Sequence, residues 1–336
     1  MTKRWTQKPE HSNWGEWGEE DQLGRLNLIG QAQVLKGIKE VKDGRTFCLS
    51  LPLDYPGGNV LSPVRFPPNL RPVIRNDAPY FNYDWSQIDP SLKDIAADDA
   101  VLLHTQYSTQ WDSLAHRGSV FDAEGNGVPE PMYYNGFRAG KDLVFDGDTS
   151  CASKLGIENM AAHGVQGRAV MVDLHSKFGD HPQVAVGYDA LMAIMEEQNV
   201  VVEPGDILCL WTGLDRLILA GNKNLDPSIK HACAALDGWD ERLLQWIIES
   251  GVAAIASDNL AVEVIKRPIP ECHCGTSLPL HDLCLFKLGV HLGELWHLAD
   301  LSEWLTANGR NRFLLTAPPL RLTGAVGSPV TPIATV

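Results

Sequence analysis

The chain alternates between short, continuously apolar runs and segments in which apolar residues recur every three or four positions. Three apolar runs have the length and composition of buried strands, at residues 165–174, 207–211 and 253–256. Residues 188–198 and 240–250 instead place apolar residues on one face, which is typical of amphipathic helices. The second of these helices opens with acidic residues, and Gly251 follows its end. Strands that alternate with helices predict an α/β fold with a mixed sheet.

One further stretch, VLLHTQYSTQWDSLAH at residues 101–116, is dense in polar side chains. Its first three residues are apolar, and we expect them to form the buried end of a strand. If the strand continues, its two-residue period places four polar side chains on one side: Gln106, Ser108, Gln110 and Asp112. His116 lies four residues beyond Asp112, so one turn of chain would return its imidazole to the carboxylate. The pattern predicts that two amides, one carboxylate and one imidazole meet at one point.

Such a set of side chains has two interpretations. A carboxylate and an imidazole are ordinary ligands of zinc or manganese, and amide oxygens are harder ligands that suit manganese, magnesium or calcium. The candidate metal ligands are therefore Gln106, Gln110, Asp112 and His116. The alternative is a buried hydrogen-bonded cluster that supports a turn, because a carboxylate and a histidine four residues apart also occur together by chance.

Composition and charge argue against several classes of function. With 336 residues, the chain suits either one α/β domain with insertions or two domains, and 44% hydrophobic and 21% charged residues are ordinary for a soluble globular protein. A net charge of −14 argues against nucleic acid and anionic membranes as partners, because few basic groups are present to neutralise phosphates. The first residues lack an apolar leader, and no run approaches the about 18 apolar residues of a membrane span, so we expect a cytoplasmic protein.

Cysteines and aromatic residues mark further segments. Seven cysteines, an odd number, fit reduced thiols, and Cys272-His273-Cys274 lacks a second ligand pair, so we interpret it as a pocket-lining loop.

Residues 1–30 carry three tryptophans and predict an N-terminal arm that packs on its own domain or on a neighbouring subunit. Residues 56–84, rich in Pro, Gly and Asn, predict a loop that covers a pocket. The candidate aromatic contacts to substrate are Trp111, Tyr133, Tyr134 and Phe137, with ordinary packing as the alternative.

Residues 106–116 resemble the signature of the cyclase family, H-x-G-T-H-x-D-x-P-x-H. Three of its positions are kept, namely Thr109, Asp112 and His116, and four differ, namely Gln106, Ser108, Gln110 and Leu114. The family contains metal-dependent hydrolases such as bacterial kynurenine formamidase, isatin hydrolase and trans-dienelactone hydrolase. The two glutamines stand where the family has histidine ligands. Either the ion is bound here by a set of ligands that includes glutamine in place of histidine, or this branch of the family works without the usual ion.

The resemblance continues, in the same order, along most of the chain, at residues 13–30, 163–174, 202–213, 278–301 and 313–334. It implies a swivelling β/β/α fold with a mixed, barrel-like sheet and peripheral helices, in which residues 31–336 form a single catalytic domain. It also places His281 and Glu294 at the active site, His281 as a candidate substrate contact. Glu294 lies in the apolar context VHLGELW, which indicates a buried carboxylate with a partner. Members of the family commonly pair, so we expect a homodimer or homotetramer.

The function that the resemblance implies is hydrolysis of an amide, N-formyl amide, cyclic imide or lactone bond in a small substrate, in the manner of an arylformamidase. A manganese or zinc ion would activate the water, His116 would act as general base and then acid, and Asp112 and Glu294 would complete the catalytic set. Two alternatives stay open. A metal-free lyase or isomerase could use His116 and Asp112 as an acid/base pair, or the protein could bind a small molecule without turnover.

Overall fold

The computed structural model describes residues 3–180, 182–265 and 275–336. Within these ranges the chain forms twenty-one strands: β1 Thr46–Cys48, β2 Asn69–Pro72, β3 Ile74–Arg75, β4 Ala78–Pro79, β5 Tyr83–Asp84, β6 Ile95–Ala96, β7 Asp99–Leu102, β8 Gln110–Asp112, β9 Ser119–Phe121, β10 Glu130–Met132, β11 Leu143–Phe145, β12 Ser150–Ala152, β13 Gln166–Asp173, β14 Val184–Val186, β15 Ile207–Trp211, β16 Ala234–Leu236, β17 Ala254–Ser257, β18 His291–Glu294, β19 Arg312–Thr316, β20 Gly327–Pro329 and β21 Ile333–Thr335.

The helices are mostly short. The α-helices are α1 Gln31–Lys39, α2 Ile157–His163, α3 His175–Phe178, α4 Tyr188–Glu197, α5 Leu214–Ala220, α6 Glu241–Ser250, α7 Pro279–His281 and α8 Ala299–Ala307. A π-helical turn, Asp282–Leu288, continues directly from α7. Short 3-10 turns lie at Gly24–Leu28, Trp85–Gln87, Tyr134–Gly136 and Pro227–His231. Among the residues described, no helix has the length and apolar character needed to cross a membrane.

Nine strands form one mixed sheet, in the order β1-β21-β19-β13-β15-β17-β18-β8-β20. The four central strands, from β13 to β18, run parallel, and the strands on both sides pair antiparallel. The sheet curls into a half-barrel, as the fold prediction requires, and that prediction is confirmed. The other strands form separate two-stranded pairs.

Apolar side chains cover both faces of the parallel strands, which explains their nearly continuous apolar sequences. In β15, Leu208 and Leu210 belong to one buried cluster, whereas Ile207 and Cys209 belong to a second cluster on the opposite face. Helices α4 and α6 pack into the first cluster, and α2 and α8 pack into the second. Strands β8 and β18 therefore lie in the interior of a three-layered structure.

The predictions for the regular elements are confirmed with small changes in their bounds. Strand β15 has the predicted limits, β13 and β17 shift by one residue, and α4 ends one residue early. Asp240 caps α6 by accepting from the backbone N–H groups of Arg242 and Leu243, and Gly251 ends the helix in the left-handed region at φ 68°.

One strand prediction was wrong. Residues 101–103 do not form a buried strand, because β7 pairs with β2 outside the main sheet and leaves Val101 52% and Leu102 62% exposed. Residues 103–109 make turns, and the strand that carries the polar residues begins only at Gln110. An apolar run of three residues is too short to specify burial by itself.

The N-terminal tryptophans pack on the same chain. Trp5 and Trp14 are 1% and 0% exposed, and Trp14 packs edge-on against Phe121 and Phe286. Its indole N–H donates to the carbonyl of Phe286 at 2.8 Å. This segment therefore contributes aromatic side chains to the core of its own subunit.

Candidate functional site

Strands β8 and β18 lie side by side and bring two distant polar residues together. In their antiparallel register Gln110 pairs with Glu294, 184 residues further along the chain. The two-residue period points Gln110 and Asp112 to one face and Trp111 to the other. Gln110 and Asp112 are fully buried, and Glu294 is 4% exposed, as its apolar context predicted.

Three buried side chains offer metal-binding atoms at this point. Asp112, His281 and Glu294 each place one ligand atom within 4.8 Å of the others. His281 Nε2 lies 3.6 Å from Glu294 Oε1. Asp112 Oδ2 and Gln110 Oε1 are buried without a hydrogen-bond partner among the residues that the structure describes. Hydrogen-bond acceptors without a partner are costly in a protein interior. A cation bound to these ligand atoms would remove that cost, so the residues present fit a metal ion.

The two glutamines turn their amide nitrogens toward the carboxylates. Gln106 Nε2 donates to Asp112 Oδ1 at 2.8 Å and lies 2.6 Å from His116 Nδ1. Gln110 Nε2 donates to Glu294 Oε2 at 3.1 Å. In this orientation, which the hydrogen-bond network defines, each glutamine occupies one oxygen of a carboxylate and leaves the other oxygen for a ligand.

The cluster of three shares one residue, Asp112, with the four predicted ligands. Gln106, Asp112 and His116 do meet as predicted, and the Gln106 amide contacts both of the other side chains. His116 Nε2 lies 3.9 Å from Asp112 Oδ1. Gln110 keeps one free oxygen beside the cluster. His281, which we expected to contact substrate, faces Glu294.

Burial and charge act in opposite directions on these groups. Burial raises the pKa of Asp112, and the nearby charge of Glu294 raises it further. Burial alone would lower the pKa of His281, but the hydrogen bonds and charges of Glu263 and Glu294 raise it to about 9. Burial would raise the pKa of Glu294, but the bond to His281 keeps it below its usual range. His281 and Glu294 thus stabilise each other's charged forms away from water, whereas burial disfavours the ionised form of Asp112.

His116 is the most accessible ionisable group of the site, with a side chain 22% exposed. Burial lowers its pKa, against the opposing charge of Asp112. Arg65, from the segment expected to cover the pocket, donates to the backbone carbonyl of Gln106 at 2.9 Å. Its charge acts on both His116 and Glu294. Nothing in the sequence around Arg65 signalled this role.

Three of the predicted aromatic contacts belong to the core instead. Trp111 is fully buried on the other face of β8, where it packs edge-on against Trp296 at 4.9 Å and donates to the carbonyl of Ala317. Tyr134 is also fully buried, and Phe137 is 1% exposed beneath the guanidinium of Arg4. These rings cannot touch a substrate without rearranging the core, so their assignment as substrate contacts is corrected.

Tyr133 is the one predicted aromatic contact with an open surface. It is half-buried and lines a depression of about 550 Å³ together with Arg117, Ser277 and Asp282. Its lining includes Arg117 and Asp282, the sequence neighbours of His116 and His281, but none of the side chains of the cluster Asp112, His281 and Glu294. The segment Cys272-His273-Cys274, expected to line the pocket, lies outside the described residues.

Comparison with known proteins defines the family. The family model described as "Putative cyclase" matches residues 49–264 of this chain. The protein belongs to the cyclase family. A solved structure described as a novel cyclase is 31% identical, with a TM-score of 0.75, over 98% of this chain and 100% of that one. The resemblance inferred from the motifs is confirmed.

Two more distant structures share the cyclase-family fold. An isatin hydrolase bound to the product analogue thioisatinate is 15% identical, with a TM-score of 0.53, and the match covers 92% of this chain and 99% of that one. Isatin hydrolase A from Labrenzia aggregata, bound to benzyl benzoate, is 13% identical, with a TM-score of 0.55, over 91% and 98% of the two chains. No significant match was found among curated proteins.

Proposed function

We propose that this cyclase-family protein is a hydrolase that holds one divalent ion between Asp112, His281 and Glu294. The observation that carries the proposal is that buried Asp112, beside an imidazole and a second carboxylate, has an oxygen, Oδ2, with no hydrogen-bond partner within the described ranges. A buried carboxylate without a partner is costly, and an ion at this point would remove that cost.

The donor types suggest which ions fit. One imidazole nitrogen and two carboxylate oxygens suit zinc or manganese, and Gln110 Oε1 is available as a further oxygen donor. When bound, such an ion lowers the pKa of a water molecule and polarises the carbonyl group to be attacked.

The chain itself supplies the proton transfer. His116 Nδ1 contacts the Gln106 amide, which leaves Nε2 on the side of Asp112, 3.9 Å from its Oδ1. His116 takes the proton from the attacking water and then gives it to the leaving nitrogen or oxygen. Asp112 accepts from Gln106 with one oxygen and would hold the ion with the other. Glu294 accepts from Gln110 with one oxygen and would likewise hold the ion with the other.

We base the substrate class on family membership. The depression of about 550 Å³ beside Tyr133 is large enough for a small molecule, although its lining does not include the proposed ligands of the ion. We propose an amide, N-formyl amide, cyclic imide or lactone bond as the one cleaved.

The test compares two ligand sets in purified protein. Bound zinc and manganese are measured by elemental analysis in the wild type, His281→Asn and Gln106→Ala, and hydrolysis is assayed on N-formyl anilides, cyclic imides and lactones. We expect about one ion per chain in the wild type and in Gln106→Ala, and little in His281→Asn. His116→Asn is the matched control, because it changes the same residue type and should keep the ion while losing turnover.

Two results contradict the proposal. Turnover that survives chelation in protein without an ion favours the metal-free lyase or isomerase, in which His116 and Asp112 exchange protons alone. Tight binding of panel compounds without turnover, under any metal, favours a binding protein.

A further inference from the structure

A second glutamate, Glu263, stands behind His281 on the side away from Asp112. It is fully buried, and its Oε1 lies 2.8 Å from His281 Nδ1. The same carboxylate accepts from the backbone N–H groups of Leu280 and His281, at 3.0 and 2.8 Å. Glu263 therefore contacts both the ring and the backbone of His281, one of the proposed metal ligands.

The backbone that presents Glu263 adopts an unfavourable conformation. The two preceding residues, Ala261 and Val262, both lie in the left-handed region, at φ 70° and 58°. A β-branched residue is rarely found there, because its side chain clashes with the backbone in this conformation. Strain of this kind persists only where surrounding contacts outweigh it, and Glu263 makes such contacts directly after the strained pair.

The packing around Glu263 is equally specific. A Cβ atom on Gly238 would lie 2.0 Å from Glu263 Oε2, so only glycine at this position lets the carboxylate reach α7. The two backbone bonds alone would explain a carboxylate that caps the short helix α7. They do not explain the third bond, to His281 Nδ1, which determines how the ring is turned.

We infer that Glu263 is a positioning residue that holds His281 through Nδ1–H, so that Nε2 faces Glu294 and the bound ion. The inference deepens the proposed function and rests on it. A carboxylate behind a metal-binding histidine determines its tautomer and orientation and makes the ring a better donor.

The first experiment measures zinc affinity by calorimetric titration of the apo form of wild type, Glu263→Gln and Glu158→Gln. Glu158 is a matched control, because it also accepts from a backbone N–H, that of Gly324, at 3.0 Å, but belongs to α2. We expect Glu263→Gln to bind zinc about 10- to 100-fold more weakly and Glu158→Gln to bind like the wild type. Equal affinity in all three proteins would overturn the inference.

Histidine-selective ¹⁵N NMR separates this inference from the function on which it rests. We expect a low-field, slowly exchanging Nδ1–H proton on His281 in the wild type, with or without zinc, and its upfield shift in Glu263→Gln. If the wild type binds no ion, the proposed function fails, and this signal alone decides the role of Glu263. A signal that is absent, or unchanged in the variant, overturns the inference.

A second variant covers the case in which Glu263→Gln does not fold, as judged by circular dichroism. Gly238→Ala keeps the charge of Glu263 but pushes its carboxylate away from His281. We expect a loss of zinc affinity and a change in the Nδ1–H signal in the same direction. If both stay at their wild-type values in folded Gly238→Ala, orientation by Glu263 is excluded.

Discussion

Two buried clusters in this protein are built from the same residue types but differ in how their oxygens are paired. The first is the site cluster of Asp112, His281 and Glu294. The second, which we call the capping cluster, consists of Asp215, Asp258 and His297, at the ends of neighbouring strands. Asp112, Asp215 and Asp258 are all fully buried.

In the capping cluster every carboxylate oxygen has a donor. Asp215 Oδ2 accepts from the backbone N–H groups of Leu298 and Ala299, at 2.8 and 2.9 Å, and from His297 Nδ1 at 2.9 Å. Its other oxygen accepts from the Trp211 indole at 3.1 Å.

Asp258 is equally well paired. It accepts from the backbone and hydroxyl groups of Thr212, both at 2.8 Å, and from Gly213 N at 2.8 Å. The bonds of Asp258 connect the strand β17 to the turn between β15 and α5, and the bonds of Asp215 connect α5 to the start of α8.

The site cluster differs in one respect. Asp112 Oδ2 and Gln110 Oε1 lack partners among the described residues, although both are buried. Burial and an altered pKa are therefore shared by both clusters and do not identify function. The unpaired Asp112 Oδ2 distinguishes the site cluster from the capping cluster, because a buried carboxylate oxygen without a donor is costly.

The largest expected effect comes from Asp112→Asn. It should lower turnover by more than about 10⁴-fold, because the substitution removes a ligand of the ion and a partner of His116. The unfolding free energy should stay within about 1 kcal/mol of wild type, since Asn can still accept from Gln106 and the unpaired oxygen makes no native bond. Steady-state kinetics and urea unfolding of the same preparation measure both quantities. A large loss of stability would make Asp112 a structural residue like Asp215.

His116→Asn should lower turnover by about 10³-fold, because proton transfer by a positioned side chain contributes on this scale. Zinc affinity should not fall, since His116 contacts Gln106 rather than the ion. Turnover is measured on the best substrate of the panel, and affinity by calorimetric titration. Loss of the ion with the imidazole would restore His116 as a ligand, as the sequence pattern suggested.

Asp215→Asn should have the reverse profile. It should lower the unfolding free energy by about 3 kcal/mol, because buried donors lose a charged acceptor. Zinc affinity of the folded protein should match the wild type. Urea unfolding and calorimetry test the two halves of this expectation. A variant that folds normally but loses zinc would place the capping cluster in the site.

The smallest expected effect is the pH dependence of the bond between Asp215 and His297. The bond to Asp215 raises the pKa of His297, against the effect of burial. Burial would raise the pKa of Asp215, but His297 and backbone donors lower it. The contribution of His297 to the unfolding free energy is complete below the pKa of about 6.5 that it has in the unfolded chain. This contribution disappears as the pH rises through the raised pKa of His297 in the folded protein. The contribution of Asp215 to the unfolding free energy is complete above the pKa of about 3.9 that it has in the unfolded chain. This contribution disappears as the pH falls through the lowered pKa of Asp215 in the folded protein.

The wild type should therefore exceed His297→Gln in unfolding free energy by about 1 kcal/mol between about pH 4 and pH 6.5, and by less on either side. Urea unfolding at intervals from pH 3 to pH 9 gives this difference. A difference that is flat with pH would show that the bond does not depend on the charge of the imidazole.

Much of the fold could be predicted because its determinants are local. The apolar runs of β13, β15 and β17, and the cap and terminal glycine of α6, are each contained within a dozen residues. The order of motifs along the chain was sufficient to identify the family. The burial of Glu294 also followed from its immediate neighbours, because a lone acid within an apolar segment has no route to water.

The site itself depended on contacts between distant segments. Sequence spacing grouped His116 with Asp112, and the two side chains do lie 3.9 Å apart. Spacing could not show that His281, 169 residues further along the chain, also lies beside Asp112. Trp111 shows the same limit, since its neighbours in sequence are polar but its neighbours in space are apolar.

What the sequence by itself determined was the family, the alternation of strands and helices, and the presence of ionisable groups in apolar surroundings. Only the tertiary structure decided which atoms of those groups meet. Periodicity specifies the face on which a side chain lies, but a metal site requires three atoms within a few ångströms, and their separation depends on strand register and on which end of each amide turns inward. Glu263 illustrates this limit, because it was not among the predicted site residues and its bond to His281 exists only in the folded chain.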